Sequence, residues 1–289
     1  MKTYEILKNC SCCNEKLNLR CLNSHEIGLF CEKCKRFCII SSGVLKKIWL
    51  SPSKEDENDL EIAQNSISHQ YSPSPLHYPD YVGVMQSYER EYLLPIIPFL
   101  RENVFGIVDV CCGPGTILEI AHNYGIYPFG VDIEPWSQYS KGIPTLQYEC
   151  NILDLSQLEV VFRLIDREMG CDLLSCLEGM EHFKHDLRPS FRIMTDILSP
   201  KWIYISTTTK GFGDSCGVLG EDHFRSLSLW KGEKLDADHH KAWSLNELCD
   251  FLRELGYRTI GWSLQSRWYS SPGVLADKFS RVLALGERI

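Results

Sequence analysis

The segment Ile107-Val-Asp-Val-Cys-Cys-Gly-Pro-Gly-Thr116 reads as a buried strand that runs straight into a glycine turn and then a helix, Ile117 to Asn123. Apolar residues fix the strand in a core, and Gly113 and Gly115 permit a turn with no Cβ in the way. The helix start then offers free N–H groups, which is how a backbone approaches a nucleotide-like ligand. Structural turns use the same glycines, so the turn by itself does not establish a ligand site. About sixteen residues beyond it, Tyr127-Pro-Phe-Gly-Val-Asp-Ile-Glu134 forms a second short apolar strand ending on Asp132. A carboxylate there is placed to accept hydrogen bonds from both hydroxyls of a ribose. A third segment, Thr145-Leu-Gln-Tyr-Glu-Cys-Asn-Ile152, ends on Asn151, and a fourth, Cys171 to Leu177, runs into Glu178-Gly-Met-Glu-His-Phe183.

On these residues the chain resembles the class I S-adenosylmethionine-dependent methyltransferases over roughly residues 69 to 289. Asp109-Val-Cys-Cys-Gly-Pro-Gly115 is similar to their first motif, and Glu181-His182-Phe183 to the Glu-His pair many carry after the fourth strand. The resemblance implies S-adenosylmethionine as cofactor. It implies close backbone approach at Gly113, Pro114 and Gly115, with Asp109 orienting the methionine end. Asp132, with Ile133 beside it, would hold the ribose; Asn151 and Ile152 would flank the adenine, and Leu177 would lie near the methionine portion. Cys111 stands where the commonest form of the motif has glycine, a variant that looks like that of the quinone-biosynthesis methyltransferases. A nicotinamide-dependent dehydrogenase is the rival. Against it, the third glycine of a dinucleotide fingerprint is absent, because Leu118 occupies that position.

Fourteen cysteines would mean disulfides in a secreted chain, but the N-terminus has no apolar signal core and no run of eighteen apolar residues exists. The expectation is a cytoplasmic protein with no membrane span. Seven of the cysteines fall within residues 10 to 38, which favours metal for that cluster. Cys10-Ser-Cys-Cys13 and Cys31-Glu-Lys-Cys34 are two Cys-x-x-Cys knuckles. Each turns two thiolates toward one point, and two of them close a tetrahedron around Zn²⁺. Cys10, Cys13, Cys31 and Cys34 are therefore the expected ligands of a structural zinc, with segments 17–22 and 28–30 as the strands that join the knuckles. Four thiolates leave no open coordination position, so this metal holds structure and performs no catalysis.

Residues 51 to 80 change character, with Ser51-Pro-Ser, an acidic run from Lys54 to Glu61, and Ser72-Pro-Ser-Pro75. Prolines and polar residues argue for an extended connector. Tyr71 and its neighbouring tyrosines are dense for a linker; some either line the substrate entrance or pack the connector down. Later elements alternate as an α/β fold requires. Pro189 to Leu198 is a predicted helix and Lys201 to Thr207 a strand; Ser244-Leu-Asn-Glu247 is a capping box, and Gly256 ends its helix. Arg258 to Ser263 and Arg281 to Leu285 supply two more strands. The expected fold is α/β, a Rossmann-like seven-stranded methyltransferase sheet whose last strand runs antiparallel, with a small N-terminal zinc ribbon. The expected domains are 1–50 (ribbon), 51–80 (connector) and 81–289 (methyltransferase).

The net charge of −8 is unevenly spread: residues 1 to 50 carry nine Lys/Arg against four Asp/Glu, while the rest carry twenty-one against thirty-four. An acidic catalytic domain repels polyphosphate, which favours a small polar acceptor such as a sugar or secondary metabolite. RNA gripped by the basic ribbon is the alternative, and a catalytically dead scaffold a third. Where the acceptor needs deprotonation, a neutral histidine is a suitable base. His240 leads, with His182 and His239 after it; a second metal near His239 and His240 is a further possibility.

Overall fold

The computed structural model describes residues 15–16, 18–21, 27–33, 36–38, 40–45, 53–70, 93–94, 96–113, 115–133, 146–168, 170–208, 240–265 and 281–289. Its centre is a mixed sheet. Strand β5 (Gly106–Val110) pairs in parallel with β6 (Tyr127–Asp132), which pairs with β7 (Leu146–Glu149). On its other side β5 pairs in parallel with β8 (Leu173–Leu177), and β8 with β9 (Trp202–Thr208). Strand β11 (Arg281–Arg288) runs antiparallel between β9 and β10 (Tyr257–Gln265), as expected from the sequence. The chain moves outward from β5 in one direction to β7, then restarts at β8 on the opposite side. That reversal opens a crevice above the carboxyl ends of β5 and β8.

The two faces of the sheet are separated residue by residue. Val108, Val110, Leu174, Cys176, Ile203, Ile205, Val282 and Ala284 join one core. Ile107, Leu173, Trp202, Tyr204, Leu283 and Leu285 join the other. This period-two division comes from Cβ alternation along a strand, and strands covered on both faces read as near-continuous apolar runs. Helix α2 (Ile97–Asn103) and helix α3 (Thr116–Asn123) cover the second face. Helices α4 (Leu155–Glu168), α5 (Arg188–Leu198) and α6 (Leu245–Glu254) cover the first, through residues such as Phe162, Phe191 and Phe251. The capping box of α6 is formed as expected: Ser244 Oγ accepts from Glu247 N at 3.1 Å, and Ser244 N donates to Glu247 Oε2 at 2.8 Å. Gly256 comes next to its end in the left-handed conformation, at φ +85°.

Two features differ from the sequence-based expectation. Residues Lys54–Gln70, expected to be extended, form helix α1. Ser53 starts it: its N–H and hydroxyl both donate to Asp56 Oδ2, at 2.7 and 2.8 Å, and its Oγ accepts from Asp56 N. Asp56 is fully buried and its other oxygen lies 2.8 Å from Arg101 of α2, while Tyr124 donates to Asp59. The inward face of α1 is thus partly carboxylate, which hides its amphipathic character in the sequence.

The second difference concerns the N-terminal strands. β1 (Asn18–Cys21), β2 (Ile27–Cys31) and β3 (Arg36–Cys38) form a three-stranded antiparallel sheet. After the single residue Ile39, β4 (Ile40–Ser42) leaves that sheet and pairs with β10. The main sheet therefore has eight strands: the seven expected, plus β4 covering the otherwise open edge of β10. Gly43, just after β4, lets the chain lie close against β10, because a Cβ there would stand 2.0 Å from the Ile260 carbonyl oxygen. No described helix is long and apolar enough to cross a membrane.

Candidate active site

The turn after β5 is held from below. Cys111 N and Cys112 N both donate to the Val131 carbonyl of β6, at 2.7 and 3.3 Å, and Gly115 N donates to Cys112 O at 2.9 Å. Cys111, Gly113 and Gly115 have φ of 57°, 48° and 87°. Three left-handed residues within five reverse the chain tightly enough for Gly115 to act as the N-cap of α3. A Cβ built on Gly113 meets no atom of the described residues within 4 Å; one on Gly115 would stand 3.2 Å from Gln147 Nε2. Pro114 lies outside the described residues.

Asp132, at the carboxyl end of β6, accepts from Gly113 N at 2.9 Å. The ribose acid and the glycine turn are thereby already joined, and Ile133 beside them is 66% exposed. Asp109 is buried on the α3 side of β5, opposite Ser175 of β8, whose hydroxyl donates to it at 2.6 Å. Burial pushes the Asp109 carboxyl up from its ordinary 3.8 to about 7, opposed by the Ser175 hydrogen bond and aided by the Asp132 charge.

Asn151 is exposed past the end of β7; its Oδ1 accepts from Leu153 N at 3.0 Å and its own N–H donates to Gln157. The Ile152 side chain is packed in the core, and its carbonyl accepts from Ser190 Oγ at 2.7 Å. Leu177 is half-buried at the end of β8.

Beyond Leu177 the structure assembles a charged group that sequence reasoning misses. Glu178 takes a left-handed φ of 53°. Its Oε1 accepts from Ser206 Oγ at 2.9 Å, and its Oε2 lies 2.8 Å from Nε of Arg281, which is 2% exposed. Glu181, fully buried in a 3-10 turn (Met180–His182), accepts from Thr207 Oγ1 at 2.9 Å. Burial and then the Glu178 charge push the Glu181 carboxyl well above the ordinary range. The two acids are visible in the sequence as part of the segment after β8, but nothing in that segment signals an arginine more than a hundred residues downstream.

The Glu181 carbonyl also accepts from His240 N at 2.7 Å and Lys241 N at 3.2 Å, and Trp243 N donates to Thr208 O. His240 is consequently held against the turn that carries His182, at the same carboxyl edge as Asp109 and Asp132. His182 is exposed and His240 half-buried. His239, Tyr71 and residues 209–239 lie outside the described residues.

In the N-terminal sheet, Cys31 ends β2 and pairs with Arg36 across the β2–β3 hairpin. Asn18, which opens β1, pairs with Phe30, so β1 begins at the end of the sheet where Cys31 stands. Cys10, Cys13 and Cys34 are outside the described residues. Among those described, no three His, Cys, Asp or Glu side chains converge on a metal-sized site.

The chain is similar in architecture to magnesium protoporphyrin IX methyltransferase from Synechocystis PCC 6803 with bound SAH. Identity is 13% with a TM-score of 0.48, over 78% of this chain and 94% of that one. It is also similar to a putative sarcosine dimethylglycine methyltransferase from Galdieria sulphuraria, at 13% identity and TM-score 0.48, over 78% and 98% of the two chains. A SAM-dependent methyltransferase from Archaeoglobus fulgidus matches at 14% identity and TM-score 0.46, over 71% and 94%. No curated protein matches the chain. A family model described as a methyltransferase domain matches residues 85–260, a span that includes the glycine turn, Asp132 and the Glu178–Glu181 group. The chain belongs to that methyltransferase family, and is an S-adenosylmethionine-dependent enzyme.

Proposed function

We propose that the chain methylates a polar small molecule, a sugar or secondary metabolite, bound over the carboxyl ends of β5, β8 and β9. The observation that carries this reading is the charge of the domain that holds the site: residues 51–289 carry thirty-four Asp/Glu against twenty-one Lys/Arg. Such an excess repels a polyphosphate and suits a neutral or cationic acceptor. S-adenosylmethionine supplies an electrophilic methyl on a sulfonium. The residues present fit it: a Gly113 that no described side chain crowds, a carboxylate already bonded to the turn, and an exposed Ile133 for a flat ring. Asp132 would exchange the Gly113 N–H for ribose hydroxyls, and Asp109 would face the methionine end. Gly113 and Gly115 let the backbone approach.

The chain's part in the reaction is to position and, where the acceptor requires it, to take a proton. His240 is the proposed base, because its backbone is fixed to Glu181 at the crevice edge. We further propose a structural zinc held by Cys10, Cys13, Cys31 and Cys34. The support is the pair of Cys-x-x-Cys knuckles in the sequence; of their four thiols only Cys31 is among the described residues, at the end of β2 opposite the start of β1. The six cysteines described in the main domain are all free, which fits a reducing, cytoplasmic setting.

Calorimetry with the demethylated cofactor, SAH, and then methyl transfer from labelled S-adenosylmethionine to small-molecule and RNA pools, tests the reading. Labelled RNA, with binding that falls steeply with salt, would replace the small-molecule acceptor by RNA. Absence of SAH binding would leave a scaffold.

A further inference from the structure

Cys111 breaks the alternation of its strand. Val110 faces the α4–α6 side, so an extended residue 111 would face α3; the left-handed φ of 57° turns it back onto the first core. There it meets Cys176 of β8. A Cβ built on Gly179 would stand 2.8 Å from Cys111 Cβ, 3.2 Å from Cys111 Sγ and 3.0 Å from Cys176 Sγ. The two thiols converge on one point and are accommodated because residue 179 has no side chain. Cys176 is fully buried, whereas Cys111 is half-buried at the floor of the crevice.

We propose that Cys111 and Cys176 form a disulfide under peroxide and that this modification closes the cofactor site. The inference rests on the reading that the glycine turn binds S-adenosylmethionine. Cys111 is the accessible thiol and reacts first: its sulfur attacks hydrogen peroxide, giving a sulfenic acid and one water. The Cys176 thiol then attacks that sulfur, losing its proton to the departing hydroxide, which leaves as a second water. Two thiols are oxidised, one peroxide is reduced, and nothing else is required. Contact with Cys111 and burial hold the Cys176 thiol well above its ordinary range, which argues against Cys176 as the initial nucleophile.

A disulfide brings the sulfurs to about 2.05 Å, well inside any hydrogen-bonded thiol contact. The shift falls on Cys111, whose N–H donates to Val131 O at 2.7 Å and which leads directly into Gly113, bonded to Asp132 at 2.9 Å. Oxidation therefore pulls the turn off the ribose acid.

The test uses the full chain, reduced and peroxide-treated, with peptide mass mapping of disulfides and SAH titration of both forms. The expected result is a mapped Cys111–Cys176 link, SAH affinity weakened roughly tenfold or more, and recovery on adding thiol reductant. Cys176→Ala should bind SAH as the reduced chain does and keep that affinity after peroxide. That outcome separates this pair from oxidation of the N-terminal cysteines. No mapped link, or a link with unchanged affinity, overturns the proposal. Should the variant fail to fold, mapping and titration of the unsubstituted chain decide alone. Failure of the reduced chain to bind SAH counts against the cofactor reading instead, and the mapped link still tests the pair.

Discussion

At the scale of single residues, Asp109 is a buried carboxyl that titrates in the neutral range. Its carboxyl is raised in the folded chain to about 7. Its stabilising contribution is therefore complete below the unfolded value near 4 and is lost as pH rises through 7. Between pH 5 and pH 8 the protein should lose about 2–3 kcal/mol of stability from this group. Asp109→Asn keeps an acceptor for Ser175 and should remove that loss, so urea midpoints of the two chains at the two pH values should diverge by this amount. Arg281 offers a different test. Arg281→Met leaves the partly exposed Glu178 without its counterion, and should cost about 2–3 kcal/mol in urea unfolding, less than a fully buried pair would. Asp132→Ala should weaken SAH binding by about 2 kcal/mol, since it removes two charge-assisted hydrogen bonds, and calorimetry would show it. A variant binding like the wild type would exclude Asp132 as the ribose acid.

At the scale of elements, legibility in the sequence tracks how local the physics is. Strand β5, the turn and α3 are readable because apolar run, glycines and helix start are adjacent in sequence. The α6 capping box is readable for the same reason, its partners being three residues apart. Helix α1 is not. Its burial runs through Asp56, whose partner Arg101 is supplied by another helix, so the segment reads as a solvated charge run. The candidate site divides in the same way: Asp132 and the turn can be inferred, whereas the Glu178–Arg281 pair joins strands far apart in the chain. Asp56→Ala removes both the Ser53 cap and the Arg101 partner. It should cost about 2–4 kcal/mol and speed amide hydrogen exchange along α1, while SAH affinity stays unchanged. Equal exchange in the two chains would mean that α1 is held by its apolar contacts alone.

At the scale of the whole molecule, β4, one residue beyond the small sheet, is the edge strand of the catalytic sheet. A sheet of three short strands is too small to hold by itself, so if the proposed zinc is bound the small sheet should depend on it. Removing zinc with a chelator should then lower the melting temperature of the entire chain, because loss of the small sheet frees β4 and uncovers β10. A melting curve unaffected by chelation, together with no zinc by elemental analysis, would remove the metal.

Only Ile39 separates the last strand of the small sheet from the first strand on the edge of the large one. One residue of extended chain spans at most about 3.6 Å, so the end of β3 stays within reach of β4. Lengthening that joint with glycine and serine should let β4 fray from β10 without pulling on β3, which hydrogen exchange in the two sheets would show.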